Sequence, residues 1–327
     1  MKCINKVIPF ALAGCVLLSG CGSRADLEDA YDLYGSTGIY ENLGSDSADT
    51  LSLFASDLCT GGTENTESEE TEASSVGSSA VFSVSNLEIT YAQNIYEQMY
   101  PASITKILTA YIALKYGDTG DVITVSSEAL DELSGTGSST CGLEAGDELT
   151  LDTLLYGLLL CSGNDAAVVI AEYISGSTEE FADLMNSEAE ALGATGSHFT
   201  NPHGLTDEDH YTTAYDLYLI FNAAVQNEEF VKYISASSYE ASYTNSAGED
   251  CSLTWENTNK YISGDYDMPD GITIIGGKTG TTSAAGSCLI LYGENTDGDQ
   301  LISIVLNASS GDELYSYMTT ILESFGL

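Results

Sequence analysis

The stretch Pro101-Ala102-Ser103-Ile104-Thr105-Lys106-Ile107-Leu108-Thr109-Ala110-Tyr111-Ile112-Ala113 governs the reading of this 327-residue chain. Pro101 marks a helix start, and the run from Ile104 to Tyr116 is apolar enough for a buried helix. Ser103 and Lys106 stand three residues apart, so their side chains share one helical face at its N-terminal end. A serine hydroxyl is a weak nucleophile until a neighbour takes its proton. An amine can take it when burial lowers the amine's pKa. A helix N-terminus adds backbone N–H groups beside a developing oxyanion. Ser-x-x-Lys recurs by chance on helix surfaces, but here Ile107, Leu108, Ala110, Ile112 and Ala113 flank it. A lysine in such surroundings is costly unless it has a function or a partner.

Two stretches downstream supply what else acyl transfer needs. Ser162-Gly163-Asn164 falls between the apolar segments Leu151 to Leu160 and Asp165 to Ile174. Alone it reads as a helix break whose Ser or Asn caps the next helix. Lys278-Thr279-Gly280-Thr281-Thr282 follows the apolar strand Ile272 to Ile275, and alone it reads as a glycine-rich strand edge with a solvated lysine. Composition sharpens both. The chain carries 8 Lys plus Arg against 50 Asp plus Glu. Beyond the first twenty residues the basic ones are Arg24, Lys106, Lys115, Lys232, Lys260 and Lys278, and two of these fall inside the candidate motifs.

Strand-like segments lie toward both ends. Ala80 to Ser85 and Glu88 to Tyr91 form a hairpin pattern, and Ile272 to Ile275, Ser287 to Tyr292 and Leu301 to Leu306 are further strands. Between them, Glu179 to Leu192 and Ala214 to Gln226 are amphipathic helices, and Glu313 to Phe325 closes the chain with another. That order predicts an α+β fold, one antiparallel sheet carrying a helical insertion.

In order and spacing, Ser103-x-x-Lys106, Ser162-x-Asn164 and Lys278-Thr279-Gly280 resemble the three motifs of the penicillin-recognising serine enzymes. The contexts resemble the low-molecular-weight D-Ala-D-Ala carboxypeptidases: Pro101-Ala102-Ser103-Ile104-Thr105-Lys106, Leu155 to Ala167, Asn201-Pro202-His203-Gly204-Leu205 and Gly277-Lys278-Thr279-Gly280-Thr281-Thr282. The resemblance covers about residues 51–327. It implies a β-lactamase/transpeptidase-like fold, an antiparallel sheet flanked by helices with a helical subdomain. It also implies that Ser103 attacks the carbonyl of the penultimate D-Ala of a peptidoglycan stem peptide, with Lys106 as proton acceptor. Ser162 would relay a proton to the departing D-Ala, and Asn164 would hold the lysine and the substrate amide. Lys278 and Thr279 would meet the terminal carboxylate, Gly280 and Thr281 would complete the substrate-binding stretch, and the N–H groups of Ser103 and Thr281 would form the oxyanion hole. β-Lactams would acylate Ser103 as substrate mimics. No cofactor is expected.

Relatives of this kind often bind the carboxylate with an arginine near the C-terminal helix, and this chain has none after Arg24, which leaves Lys278, Thr279 and Thr281. They often add a C-terminal β-domain and an anchor helix, whereas this sequence ends about where a catalytic domain would close. A class A β-lactamase needs a Glu-x-x-Leu-Asn stretch between the second and third motifs, and none is present. A sensor that acylates without turnover is a second alternative. His198, His203 and His210 are all the histidines; their spacing fits no compact zinc motif, and no metal site is expected.

The formal net charge of -42 repels phosphate backbones, which excludes nucleic acid as a partner class. Lys2 and Lys6 precede an apolar run from Val7 to Leu18, too short for a comfortable membrane span. Leu18-Ser19-Gly20-Cys21 follows and resembles the bacterial lipobox, in which the cysteine is lipidated. The expected organisation is a lipoprotein signal at 1–20, lipidation at Cys21, a flexible tether over 21–48 and a catalytic domain over 49–327. The protein would be exported and anchored to the outer face of the membrane. An acidic low-complexity loop is expected at about 61–78. Of the remaining cysteines, Cys161 and Cys288 read as buried small hydrophobes, and Cys59, Cys141 and Cys251 leave a disulfide open.

Overall fold

The first two strands already show why this chain folds around a sheet covered on both faces. In the computed structural model, which describes residues 57–68, 71 and 75–327, β1 (Ser78–Ser83) is buried along its whole length and pairs with β2 (Glu88–Gln93) as a hairpin. A short 3-10 turn, Ala102–Thr105, then leads into α1 (Lys106–Tyr116). The middle of the chain contains β3 (Val122–Thr124), α2 (Ser127–Asp131), β4 (Glu148–Thr150), α3 (Leu151–Leu159), α4 (Asn164–Ser175) and α5 (Thr178–Ala191). It continues through α6 (Ala214–Val225), α7 (Glu228–Ser235), β5 (Ser238–Thr244), β6 (Asp250–Glu256) and α8 (Lys260–Ser263). The chain returns to the first sheet with β7 (Ile272–Thr282), β8 (Gly286–Asn295) and β9 (Gln300–Ala308), and α9 (Gly311–Phe325) closes it.

The main sheet is antiparallel, in the order β2-β1-β9-β8-β7. Its central strands carry apolar side chains on both faces because each face has its own core. In β8, Cys288, Ile290 and Tyr292 join the core shared with the central helices, while Leu289 and Leu291 face the core of α9 with Leu314, Met318 and Ile321. β9 divides in the same way, with Ile302, Ile304 and Leu306 on one side and Leu301 and Val305 on the other. The two-residue period of a strand produces this sorting. α1 is the central helix, with Ile107, Leu108, Ala110, Ile112 and Ala113 all buried.

The α+β class and the helices flanking an antiparallel sheet are as the sequence predicts, but the insertion is not purely helical. It carries a second sheet, β3-β4-β5-β6. β3 and β4 have three residues each, and β6 has a weak alternation in which Trp255 is its one fully buried side chain. Three-residue strands are too short to leave a periodic pattern.

The described residues of the expected loop at about 61–78 form no helix or strand before Ser78, and hydrogen bonds tie part of it to the sheet. Thr66 exchanges hydrogen bonds with Ala92, Asn65 bonds Asn94, and Ser78 already belongs to β1. The polar side chains there find partners along the open edge of β2. Cys59 is fully buried and donates to Ser83 O, and Cys59, Cys141 and Cys251 are free thiols, as are Cys161 and Cys288. Cys161 is half-buried rather than buried. The signal, Cys21 and the tether at 21–48 lie outside the described residues. Among the described residues no helix is long and apolar enough to cross a membrane.

Candidate active site

Ser103 sits in the 3-10 turn that precedes α1, not in the α-helix itself. A tight i+3 turn still carries Ser103 and Lys106 on one side, and Lys106 Nζ lies 2.9 Å from Ser103 Oγ. The same nitrogen lies 2.7 Å from Asn164 Oδ1 and 2.8 Å from His203 O. The first two motifs are thus joined through one amine. Lys106 is fully buried, and desolvation, reinforced by the nearby Lys278 ammonium, holds its pKa well below the ordinary lysine value. Among the described residues the ion pairs belong to Lys115 and Lys232, which leaves neither site lysine neutralised by a carboxylate within 4.0 Å.

Two backbone features fix the geometry. Ala102, immediately before the nucleophile, has φ 48°, and Ser162 has φ 62°. Non-glycine residues seldom occupy the left-handed region, and they cluster where function over-determines the backbone. Gly204, at φ 87°, presses against Ala102 O so closely that any β-carbon would collide with it. The loop Asn201-Pro202-His203-Gly204-Leu205 therefore supports the nucleophile turn from beneath and supplies the His203 carbonyl. Asn164 opens α4, its own N–H held by Ser139 O at 2.9 Å. Ser162 lies between α3 and α4 at 7% exposure.

β7 brings the third motif to the turn. A β-carbon on Gly280 would stand 2.9 Å from Ser103 N and 3.0 Å from Pro101 O, so only a glycine lets this strand lie against the turn. Lys278 is buried on the same strand, donates to Thr279 O at 3.0 Å, and has its pKa lowered by burial to about 7. The Thr279 hydroxyl lies 2.6 Å from that of Thr258, and Thr281 is exposed at the end of β7. All the residues singled out from sequence on these three motifs thus fall on one turn, one helix start and one strand edge.

Sequence reasoning passed over several residues here. The Asp165 carboxylate accepts from the N–H groups of Cys141, Gly142 and Leu143, which ties that turn to the start of α4. Asp165 lay inside a motif context but carried no spacing signal of its own. Thr258 had none at all, since it reaches the site from the far side of the insertion. His203 and His210 serve the nucleophile turn: His210 Nε2 lies 2.9 Å from Thr105 Oγ1, and its Nδ1 accepts from Thr200 N–H. Burial holds their pKa values at about 3 and about 4, so both rings are neutral near pH 7.

A family model described as D-alanyl-D-alanine carboxypeptidase, Peptidase_S11, matches residues 64–310. Among curated proteins, D-alanyl-D-alanine carboxypeptidase DacF of Bacillus subtilis (strain 168) is 34% identical over 239 residues, covering 72% of this chain and 58% of its own length. DacD of Escherichia coli (strain K12), of the same description, is 33% identical over 232 residues, covering 68% and 56%. The chain spans little more than half the length of these curated relatives. The crystal structure of the Streptomyces K15 DD-transpeptidase superposes with a TM-score of 0.71 at 27% identity, covering 78% of this chain and 98% of that one.

Proposed function

The chain belongs to the D-alanyl-D-alanine carboxypeptidase family, and on that premise we propose that it is a serine D,D-carboxypeptidase that removes the terminal D-Ala from peptidoglycan stem peptides. The observation that carries the reading is the environment of Lys106 Nζ. Two of its three neighbours, Asn164 Oδ1 and His203 O, can only accept hydrogen bonds. A neutral amine has two N–H groups and one lone pair. Donating both to those oxygens leaves the lone pair directed at the Ser103 hydroxyl. Burial favours that neutral form.

The reaction then runs as acyl transfer. Ser103 Oγ attacks the carbonyl carbon of the penultimate D-Ala while its proton passes to Lys106 Nζ. The oxyanion meets the N–H groups of Ser103 and Thr281, which the close approach of Gly280 to Ser103 N brings to one side. As the tetrahedral intermediate collapses, the carbon–nitrogen bond breaks, and the proton reaches the departing D-Ala amine through Ser162. Asn164 holds Lys106 and the substrate amide. The Lys278 ammonium and the Thr279 hydroxyl receive the terminal carboxylate, and the hydroxyl of Thr258 beside Thr279 shares that position. Water hydrolyses the acyl-enzyme and restores Ser103. A β-lactam carbonyl would take the same path as far as the acyl-enzyme.

The same reading extends to location. A lipoprotein signal over 1–20, lipid on Cys21 and a tether over 21–48 would place the catalytic domain of 49–327 outside the membrane, where its substrate lies.

The test is D-alanine release from diacetyl-L-Lys-D-Ala-D-Ala by the protein and by its Ser103→Ala variant. Turnover that vanishes in the variant, together with fluorescent penicillin labelling that vanishes with it, is the expected result. Release of D-alanine that persists without the Ser103 hydroxyl would overturn the assignment.

A further inference from the structure

Beside the site lies a pair of thiols with no part in the reaction above. Cys161 is half-buried two residues past the end of α3, next to Ser162, and its Sγ donates to Gly157 O at 3.2 Å. Cys141 is 6% exposed, and its thiol donates to Asp165 Oδ1 at 3.1 Å. Both sulfurs bear on one residue, since a β-carbon on Gly157 would stand 3.0 Å from Cys141 Sγ. Cys141 Sγ also packs beneath the Ser162 loop, 2.7 Å from where a β-carbon on Gly163 would lie. The two thiols are thus neighbours across Gly157, and each shifts the pKa of the other.

We propose that Cys141 and Cys161 form a thiol–disulfide exchange site for low-molecular-weight disulfides, and that closing it slows acylation of Ser103. The two thiols are unequal in the way such a pair requires. The neighbouring Cys141 thiol, with help from the Lys278 ammonium, draws the Cys161 thiol below its ordinary pKa. The partnership with Cys161, burial and the Asp165 carboxylate push the Cys141 thiol well above its own. Cys161, the one that meets solvent, is the attacking sulfur; Cys141 is the resolving one.

The exchange balances. The Cys161 thiolate attacks one sulfur of the incoming disulfide, whose S–S bond breaks and releases one thiolate that takes up a proton. Cys141 Sγ then attacks the Cys161 sulfur as its proton passes to Asp165 Oδ1, already its hydrogen-bond partner. The second small thiolate leaves and takes that proton. Two cysteine sulfurs are oxidised, and the small disulfide is reduced to two thiols.

The consequence for the site is geometric. A disulfide holds its sulfurs about 2.05 Å apart, closer than any thiol contact. Closing the bond must take Cys161 from Gly157 O and pull the adjoining backbone toward the turn of residues 141–143. That backbone holds Ser162 at its left-handed φ and leads into Asn164.

The experiment exposes the full chain to glutathione disulfide, maps disulfides by mass spectrometry without reduction, and times fluorescent penicillin labelling of Ser103. Expected are a Cys141–Cys161 crosslinked peptide and a labelling rate lowered by about a hundredfold, the loss for a shift of about 1 Å at a reacting group, restored by dithiothreitol. Cys141→Ser should trap glutathione on Cys161, and Cys161→Ser should label at the same rate with or without glutathione disulfide. Glutathione left as a stable adduct on the unaltered protein, a crosslink to Cys59 or Cys251 instead, or crosslinking with an unchanged labelling rate would each overturn the proposal. The peptide map reads the thiol pair whether or not Ser103 is the nucleophile, so failure here is separable from failure of the carboxypeptidase reading.

Discussion

Lys106 and Lys278 carry the same charge in solution, yet the proposed chemistry needs them in opposite states. Lys106 must be neutral to accept the Ser103 proton, and Lys278 must be cationic to meet a carboxylate. Burial lowers both, Lys106 well below its ordinary value and Lys278 to about 7. The rate therefore rises with pH as Lys106 loses its proton, and kcat/KM falls above about pH 7 as Lys278 loses its own. A bound carboxylate raises the pKa of Lys278, so kcat should keep its plateau to higher pH than kcat/KM does. Steady-state profiles of D-alanine release would check this, and a kcat/KM that stays flat well past pH 8 would remove Lys278 from carboxylate binding. The spacing of Ser103 and Lys106 was legible in the sequence. The opposed demands on the two lysines were not, because each depends on what the rest of the chain stacks around them.

Among the elements, the long helices and the central strands were readable, since α1, α3, α4 and α6 and the strands β8 and β9 each bury a nearly continuous run of mostly apolar side chains. The sequence pattern puts Ser103 at the start of the apolar helix, whereas the structure holds it in a separate 3-10 turn with a left-handed residue at its start. That conformation is stabilised from outside, by Gly204 below and Gly280 beside it. Gly280→Ala adds a methyl group 2.9 Å from Ser103 N and must push β7 off the turn. Because the rest of β7 keeps its ladder to β8, thermal unfolding should shift by only a few degrees, as for about 1 kcal/mol. Penicillin labelling of Ser103 should fall by about a hundredfold, the loss for a misplacement of about 1 Å. An unchanged labelling rate would mean that the contact between β7 and the nucleophile turn does not set the reacting geometry.

For the whole molecule, the charge of -42 is the dominant global property. Self-repulsion of that size destabilises the folded state, and salt relieves it, since the Debye length falls from about 30 Å at 0.01 M to about 3 Å at 1 M. The urea midpoint should rise across that range of sodium chloride; a flat or falling midpoint would show that the carboxylates are locally compensated. The sequence alone determined the class of the fold and the order of the three motifs, because these rest on local apolar patterns and on side chains a few residues apart. Tertiary structure alone decided that Lys106 donates hydrogen bonds to residues 58 and 97 positions away. The same is true of Thr258 beside Thr279 and of Cys141 under the Ser162 loop. Such contacts join distant segments, and no local pattern records which segments packing will bring together.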